Sequence, residues 1–327
     1  MNWDDVDWSA TLAPEPPAIP VARLLTGPGR REAFRHHAAE RLTGGLQTAL
    51  HHGLRLLPAD AASWACVPIG RALYRLRERH RPYVARMDGT IARLRPDLAG
   101  DPEARAALLA RWFENTSRTF AEYAKLRSLA DPARTARSGE EHLEAARATG
   151  RPLVVTFVHT GAWEVLATVA SLGPFRRRFI GPYQPQPSRH ENRIVVAARR
   201  RVETKGLPPG PHLPRTLLRF LSVPGQAVLI GIDEVSEGAI KFPLFGRPEA
   251  SRCNLSFSVR AATRTGALVL PATFLRTGGA HFRLAWHPAI DVSAIGAEAA
   301  VATLDALYGP VVRANLDQWY MLHRLRL

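Results

Sequence analysis

Cysteine is nearly absent: Cys66 and Cys253 are the two thiols in 327 residues. Two cysteines cannot make a disulfide framework for a chain this long, and they share no metal-ligand spacing. A reducing cytoplasm is therefore the expected setting. Long apolar runs are missing too. A membrane span needs about 20 consecutive apolar residues. The nearest candidate, residues 46–69, is interrupted by His51, His52, Arg55, Pro58 and Asp60. Such a segment cannot span a bilayer comfortably, but it can lie on one as a pair of amphipathic pieces. The first seven residues are acidic and have no basic run before an apolar stretch, unlike a signal peptide. No RNP-like, zinc-finger or helix-turn-helix signature is present, so nucleic acid is not the expected partner. No internal repeat is visible.

What the chain has in excess is positive charge. Lys and Arg number 44 against 29 Asp and Glu, a formal net charge of +15, and the sequence pI is about 11. Arginine dominates, with clusters at Arg176-Arg177-Arg178 and Arg199-Arg200-Arg201. A charge of this size suits an acidic partner: anionic lipid, an acidic carrier protein, or nucleic acid. A GC-rich genome would produce the same Arg, Ala and Pro enrichment with no partner involved.

The order of patterns predicts an α/β protein. Residues 1–30, with Pro14, Pro16, Pro17, Pro20 and Pro28, read as a disordered Pro-rich lead-in. Residues 31–137 read as a helical layer: helices over 31–57, 61–79, 81–95 and 101–126, the last burying Leu108, Trp112, Phe113, Phe120 and Tyr123. Residues 138–327 then alternate strands and helices. Strands are expected over 153–158, 178–181, 226–232 and 267–274, with an added antiparallel strand over 281–286. Helices fall between them, and 297–325 closes the chain. The result is one domain over 31–327 with a mixed, mostly parallel sheet flanked by helices.

One stretch carries chemistry. Leu153-Val154-Val155-Thr156-Phe157-Val158 reads as a buried strand, and His159-Thr160-Gly161-Ala162-Trp163-Glu164 follows it into a helix. A loop at the carboxyl end of a buried strand is a common place for α/β chemistry. An imidazole and a carboxylate across a short turn can face each other, the carboxylate holding the tautomer and leaving a ring nitrogen as general base. A His five residues before a Glu also arises by chance in solvated turns. Here the strand, Gly161 and Trp163 supply the context.

His-Thr-Gly-Ala-Trp-Glu resembles the His-x-Gly-x-Trp-Glu form of the H-x4-D/E motif of bacterial lipid A secondary (lauroyl/myristoyl) acyltransferases, within the lysophospholipid acyltransferase superfamily. A close branch acylates phosphatidylinositol mannosides. Further stretches resemble the family in order: residues 113–122, ending in Glu122; residues 139–145; Ile232-Asp233-Glu234 followed by Lys241-Phe242-Pro243-Leu244-Phe245-Gly246-Arg247-Pro248; and residues 315–324, containing Trp319 and His323. The resemblance implies that His159 deprotonates an acceptor hydroxyl, that Glu164 orients His159, and that the hydroxyl attacks an acyl thioester on acyl carrier protein or coenzyme A. The acceptor would be a membrane glycolipid or lysolipid, met peripherally at the cytoplasmic face of the bacterial inner membrane, and no metal or organic cofactor would be needed. Candidate substrate-binding residues are Gly161, Trp163, Tyr183, Gln184, Arg189, Arg193, Asp233, Phe245 and Gly246.

Two readings stay open beside this. Asp233 either helps hold the site or is a turn residue, and Glu122 either acts or lies on a solvated helix face. Trp319 and His323, four apart on an expected helix, read as packing. Tyr183-Gln184-Pro185 departs from the family's aromatic-Arg-Pro. With an amide in place of a guanidinium, the acceptor carries no phosphate at that point, or Arg189 or Arg193 takes over. The rival classes are a catalytically silent basic protein of the membrane surface on the same fold, and a nucleic-acid binder.

Overall fold

The computed structural model describes residues 1–15, 19–25, 29–186 and 188–327; Pro16, Pro17 and Pro28 of the expected lead-in lie outside them. The N-terminal layer is helical, as the periodicity predicts. Helices α1 (Arg30–Phe34) and α2 (Glu40–Leu56) are joined by a π-helical turn, and α3 (Ala59–Ala65), α4 (Val67–Leu73), α5 (Pro82–Leu94), α6 (Pro102–Glu122) and the short α7 (Leu126–Leu129) follow. Prolines punctuate them. Pro82 and Pro102 open α5 and α6, where a missing N–H costs nothing, and the Asp101 side chain caps α6 by accepting from Ala104 N–H. The buried face of α6 carries Leu108, Trp112 and Phe113 as expected, and Tyr123 is buried just beyond its end. Phe120 differs: it is 40% exposed, with its ring against Trp163 and Tyr320 instead of the core.

Among the described residues the strands β1 (Thr135–Ser138), β2 (Leu153–Phe157), β3 (Phe179–Pro182), β4 (Lys205–Leu207), β5 (Ala227–Gly231), β8 (Leu268–Gly278) and β9 (His281–Trp286) form one sheet. Its order is β1-β9-β8-β2-β5-β3-β4, and β6 (Val235–Ser236) and β7 (Ala239–Ile240) make a separate hairpin. All neighbours in the large sheet are parallel except β8 and β9. The two-residue alternation of β2 divides the interior. Leu153, Val155 and Phe157 pack with α8 (Glu140–Ala148), α9 (Trp163–Leu172) and α10 (Arg189–Arg201). Val154 and Val158 pack with α11 (Leu213–Leu221), α12 (Asn254–Thr265), the short α13 (Val292–Ile295) and α14 (Ala297–Ala314).

Three features went beyond the sequence pattern. Strands β1 and β4 are only four and three residues long, too short to show a period. The segment Leu316–Leu325 was expected to continue a helix, but only Tyr320–Arg324 forms a 3-10 turn, so Trp319 precedes it and does not share a helix face with His323. Finally, residues 1–15 of the expected lead-in pack on edge strand β4. Trp3 and Val6 are buried, and Lys205 Nζ donates to the carbonyls of Trp3 (2.7 Å) and Val6 while lying 3.6 Å from the Trp3 ring. A cation over an aromatic face, with its donors satisfied by backbone, protects an edge that would otherwise be open.

Glu122 ties the helical layer to the sheet. Its two oxygens accept from Arg276 Nη1 and Nη2, both at 2.7 Å, and Oε1 also accepts from Ser63 Oγ at 2.7 Å. The residue is 1% exposed, so the reading of a solvated face is corrected: an ionised carboxylate there requires these partners. Removing it strands a buried guanidinium. Glu122→Ala is expected to cost about 3–5 kcal/mol, measured by chemical denaturation; an unchanged midpoint would show that the pair is dispensable.

Candidate functional site

The site sits where the two central strands stop. The pairing places Phe157 opposite Gly231, so the residues two further along each strand, His159 and Asp233, emerge side by side. The chain leaves β2 toward β3 and leaves β5 toward β8, in opposite directions along the sheet. That divergence opens a crevice at the strands' carboxyl ends, the usual ligand position in such sheets. Two glycines make the turn possible. Gly161 has φ +59°, and a Cβ on it would lie 2.8 Å from the Phe274 carbonyl; a Cβ on Gly231 would lie 2.4 Å from His159 Cε1.

Asp233, completely buried, is the partner of His159. Its Oδ2 accepts from the His159 backbone N–H and from Trp319 Nε1, each at 2.8 Å, and its Oδ1 lies 2.6 Å from His159 Nδ1. An ionised carboxylate only accepts, so Nδ1 carries the proton and Nε2 is left facing the crevice. There, Glu234 Oε1 is 3.5 Å away. Burial works against an imidazolium at His159. The charge and hydrogen bond of Asp233, followed by Glu234 and Glu164, outweigh it and push the pKa up to about 9.

The expected pairing of Glu164 with His159 is corrected by this geometry. Glu164 lies at the first turn of α9, buried, and both its oxygens are forked by Arg199 of α10, with Nε at 3.0 Å and Nη2 on the other oxygen. A planar guanidinium satisfies a carboxylate at two points and leaves it turned away from the imidazole. Sequence spacing saw the nearer acid in the chain and missed the nearer one in space.

A cavity of about 540 Å³ opens over this pair. Of the residues expected to touch substrate or do chemistry, it brings together His159, Glu164, Trp163, Tyr183 and Gln184. Phe157, Ala167, Phe179 and Leu229 give it an apolar wall, and Tyr320, His323 and Glu234 line it near His159. The others lie elsewhere. Gly161 is beneath the site, against β8. Asp233 is behind the imidazole. Phe245 and Gly246 both have positive φ, and the Phe245 ring packs on Trp319. Arg189 is held by His36, through Nη1 at 2.9 Å and Nη2 at 3.1 Å, and Arg193 is forked by Glu15 at 2.8 and 2.7 Å. Neither reaches the cavity, so neither stands in for the missing arginine at Gln184.

Sequence reasoning missed Arg199, Glu234 and Tyr320 as site residues. Arg199 was legible only as part of a basic run, and Glu234 only as a neighbour of Asp233. Trp319 was read as packing; it is packed, and its N–H also fixes Asp233. Burial lowers the pKa of His323 to about 4, so it is neutral at physiological pH.

The family model described as "Bacterial lipid A biosynthesis acyltransferase" matches residues 33–327, nearly the whole chain. No curated protein gives a match.

The geometry makes a prediction independent of function. His159 should titrate near pH 9, against an ordinary value of 6.5. Because the folded value is the higher, this protonation stabilises the fold fully below about pH 6.5 and the contribution disappears as pH rises through about 9. Titration of the imidazole by NMR should show the high value, and Asp233→Asn should lower it. A wild-type value near 6.5 would contradict the arrangement.

Proposed function

The chain belongs to the bacterial lipid A biosynthesis acyltransferase family and is an acyltransferase, and from that premise we propose that it moves a fatty acyl chain from an acyl thioester, on acyl carrier protein or coenzyme A, to a hydroxyl of a membrane glycolipid or lysolipid. The observation that carries the mechanism is the Asp233-held His159 with Nε2 facing a half-apolar cavity. In its neutral form Nε2 takes the acceptor's proton, and the oxygen attacks the thioester carbonyl. The C–O bond forms, the C–S bond breaks, and the imidazolium returns its proton to the departing thiolate. Asp233 keeps the tautomer and offsets the imidazolium charge, in the manner of a buried acid behind a catalytic His. The apolar wall of Phe157, Phe179 and Leu229 takes the acyl chain. Glu164 acts through Arg199, holding that guanidinium in the cavity wall, and adds negative potential to the side of His159.

His159→Ala should lower transfer by about 10²–10⁴ or more while the fold persists. Asp233→Asn should lose more turnover than Glu164→Gln, because the amide cannot hold the tautomer. Steady-state transfer from a lauroyl thioester measures all three. Near-native turnover of folded His159→Ala would remove the mechanism, and a reversed order for the two acids would return the orienting role to Glu164.

Peripheral membrane attachment completes the proposal. Among the described residues no helix is long and apolar enough to cross a membrane. Yet Leu42, Leu46 and Leu50 recur every four residues along α2, all exposed, and Trp64 on α3, Ile69 and Leu73 on α4 and Leu76 on the π-helical turn after it are exposed too. This apolar face with a basic chain suits the surface of an anionic bilayer. Vesicle flotation should show binding that depends on anionic lipid and falls at high salt. Equal binding to neutral vesicles would mean that the charge plays no part.

A further inference from the structure

The acceptor hydroxyl must approach His159 Nε2, and the charged group already beside that nitrogen is a carboxylate. Glu234 Oε1 lies 3.5 Å from Nε2, and the Glu234 side chain is 26% exposed and lines the cavity. Among the described residues no cation contacts it besides His159. Two of the cavity's other cations are engaged elsewhere. Arg199 is forked onto Glu164, and its remaining Nη1 is enclosed where a Cβ on Gly206 would meet it at 3.1 Å. Lys205 Nζ is held by two carbonyls of the N-terminal segment. Arg324 donates one N–H, from Nε to His323 Nε2 at 3.2 Å, and keeps an exposed guanidinium in the lining. At the mouth, Gln184 and Gln186 offer uncharged amides.

Resting on the acyl-transfer reading above, we infer that Glu234 and His159 Nε2 form a two-point hydroxyl subsite, which takes a neutral polyol or sugar headgroup with adjacent hydroxyls and rejects one with a phosphate beside the accepting hydroxyl. In the neutral form of the ring that transfer requires, Nε2 accepts, as does an ionised carboxylate, so each takes one O–H. Neighbouring hydroxyls on one carbon skeleton have a spacing that fits two acceptors 3.5 Å apart. Only the hydroxyl on Nε2 reacts. Its proton passes to the imidazole, its oxygen forms the ester bond as the C–S bond breaks, and the second hydroxyl stays intact on Glu234. A phosphate in the second position would put two anions together beside Nε2. Glu234 thus works against anionic acceptors as much as for polyols.

Three acceptor probes separate these terms: a hexadecyl glyceryl ether, its deoxy analogue with a single hydroxyl, and its phosphate ester with phosphate next to the hydroxyl. Transfer from a lauroyl thioester is measured for wild type, Glu234→Gln, Glu234→Lys and His159→Ala. Wild type should prefer the diol over the deoxy analogue by roughly ten- to hundredfold, the worth of a charged hydrogen bond, and should use the phosphate ester least. Glu234→Gln should flatten both preferences, and Glu234→Lys should turn preference toward the phosphate ester. A wild type that favours the phosphate ester, or ratios unchanged in Glu234→Gln, would overturn the subsite. So would a wild type that acylates lipid in a membrane extract but not the diol. Loss of the subsite with His159→Ala still inactive leaves the transfer mechanism standing; an active His159→Ala would instead remove the mechanism on which the subsite rests.

Discussion

The carboxylate of Asp233 accepts from three donors brought from two parts of the chain: the His159 backbone, the His159 ring and the Trp319 indole. The site depends on this convergence. A fully buried charge survives only when such partners surround it. The partners in turn are held by the sheet register, by Gly231 leaving room for the imidazole, and by Trp112 Nε1 donating to the Trp319 carbonyl at 2.8 Å. Through Trp112 the arrangement reaches α6, so the helical N-terminal layer and the C-terminal turn both bear on one histidine.

The acids around that histidine divide the work by position. Asp233 is behind the ring and sets its tautomer. Glu234 is in front and faces what approaches. Glu164 is to the side, neutralised by Arg199, and reaches the imidazole by charge alone. Three carboxylates near a half-dry pocket would repel one another if none were compensated; Arg199 compensates one and the imidazolium the other two. Among the cations that line the cavity, Arg199 is compensated in this way and Arg324 stays exposed, in a chain that as a whole carries +15. The basic excess lies mainly on the outside, where it suits an acidic surface.

Buried strands β2, β5 and β8 and the helices between them were legible because a parallel sheet covered on both faces demands continuous apolar runs, and these occur. The family was legible because His159, Gly161, Trp163 and Glu164 keep their spacing, and the match over residues 33–327 bears that out. Strands β1 and β4 were not legible, since a three- or four-residue edge leaves no period. Nor was the packing of residues 1–15, where four acids and one proline surround two tryptophans that cover an edge strand.

The sequence by itself determined the α/β class, the strand-end position of His159 and the acyltransferase family, because periodicity and local motifs are properties of neighbours along the chain. Tertiary structure alone decided which acid serves the histidine. Glu164 is five residues from His159 yet bound to Arg199, while Asp233 is 74 residues away and hydrogen-bonded to its ring. The physical reason is that a parallel register sets distant strand ends side by side, whereas a residue on the first turn of a helix points where that helix packs.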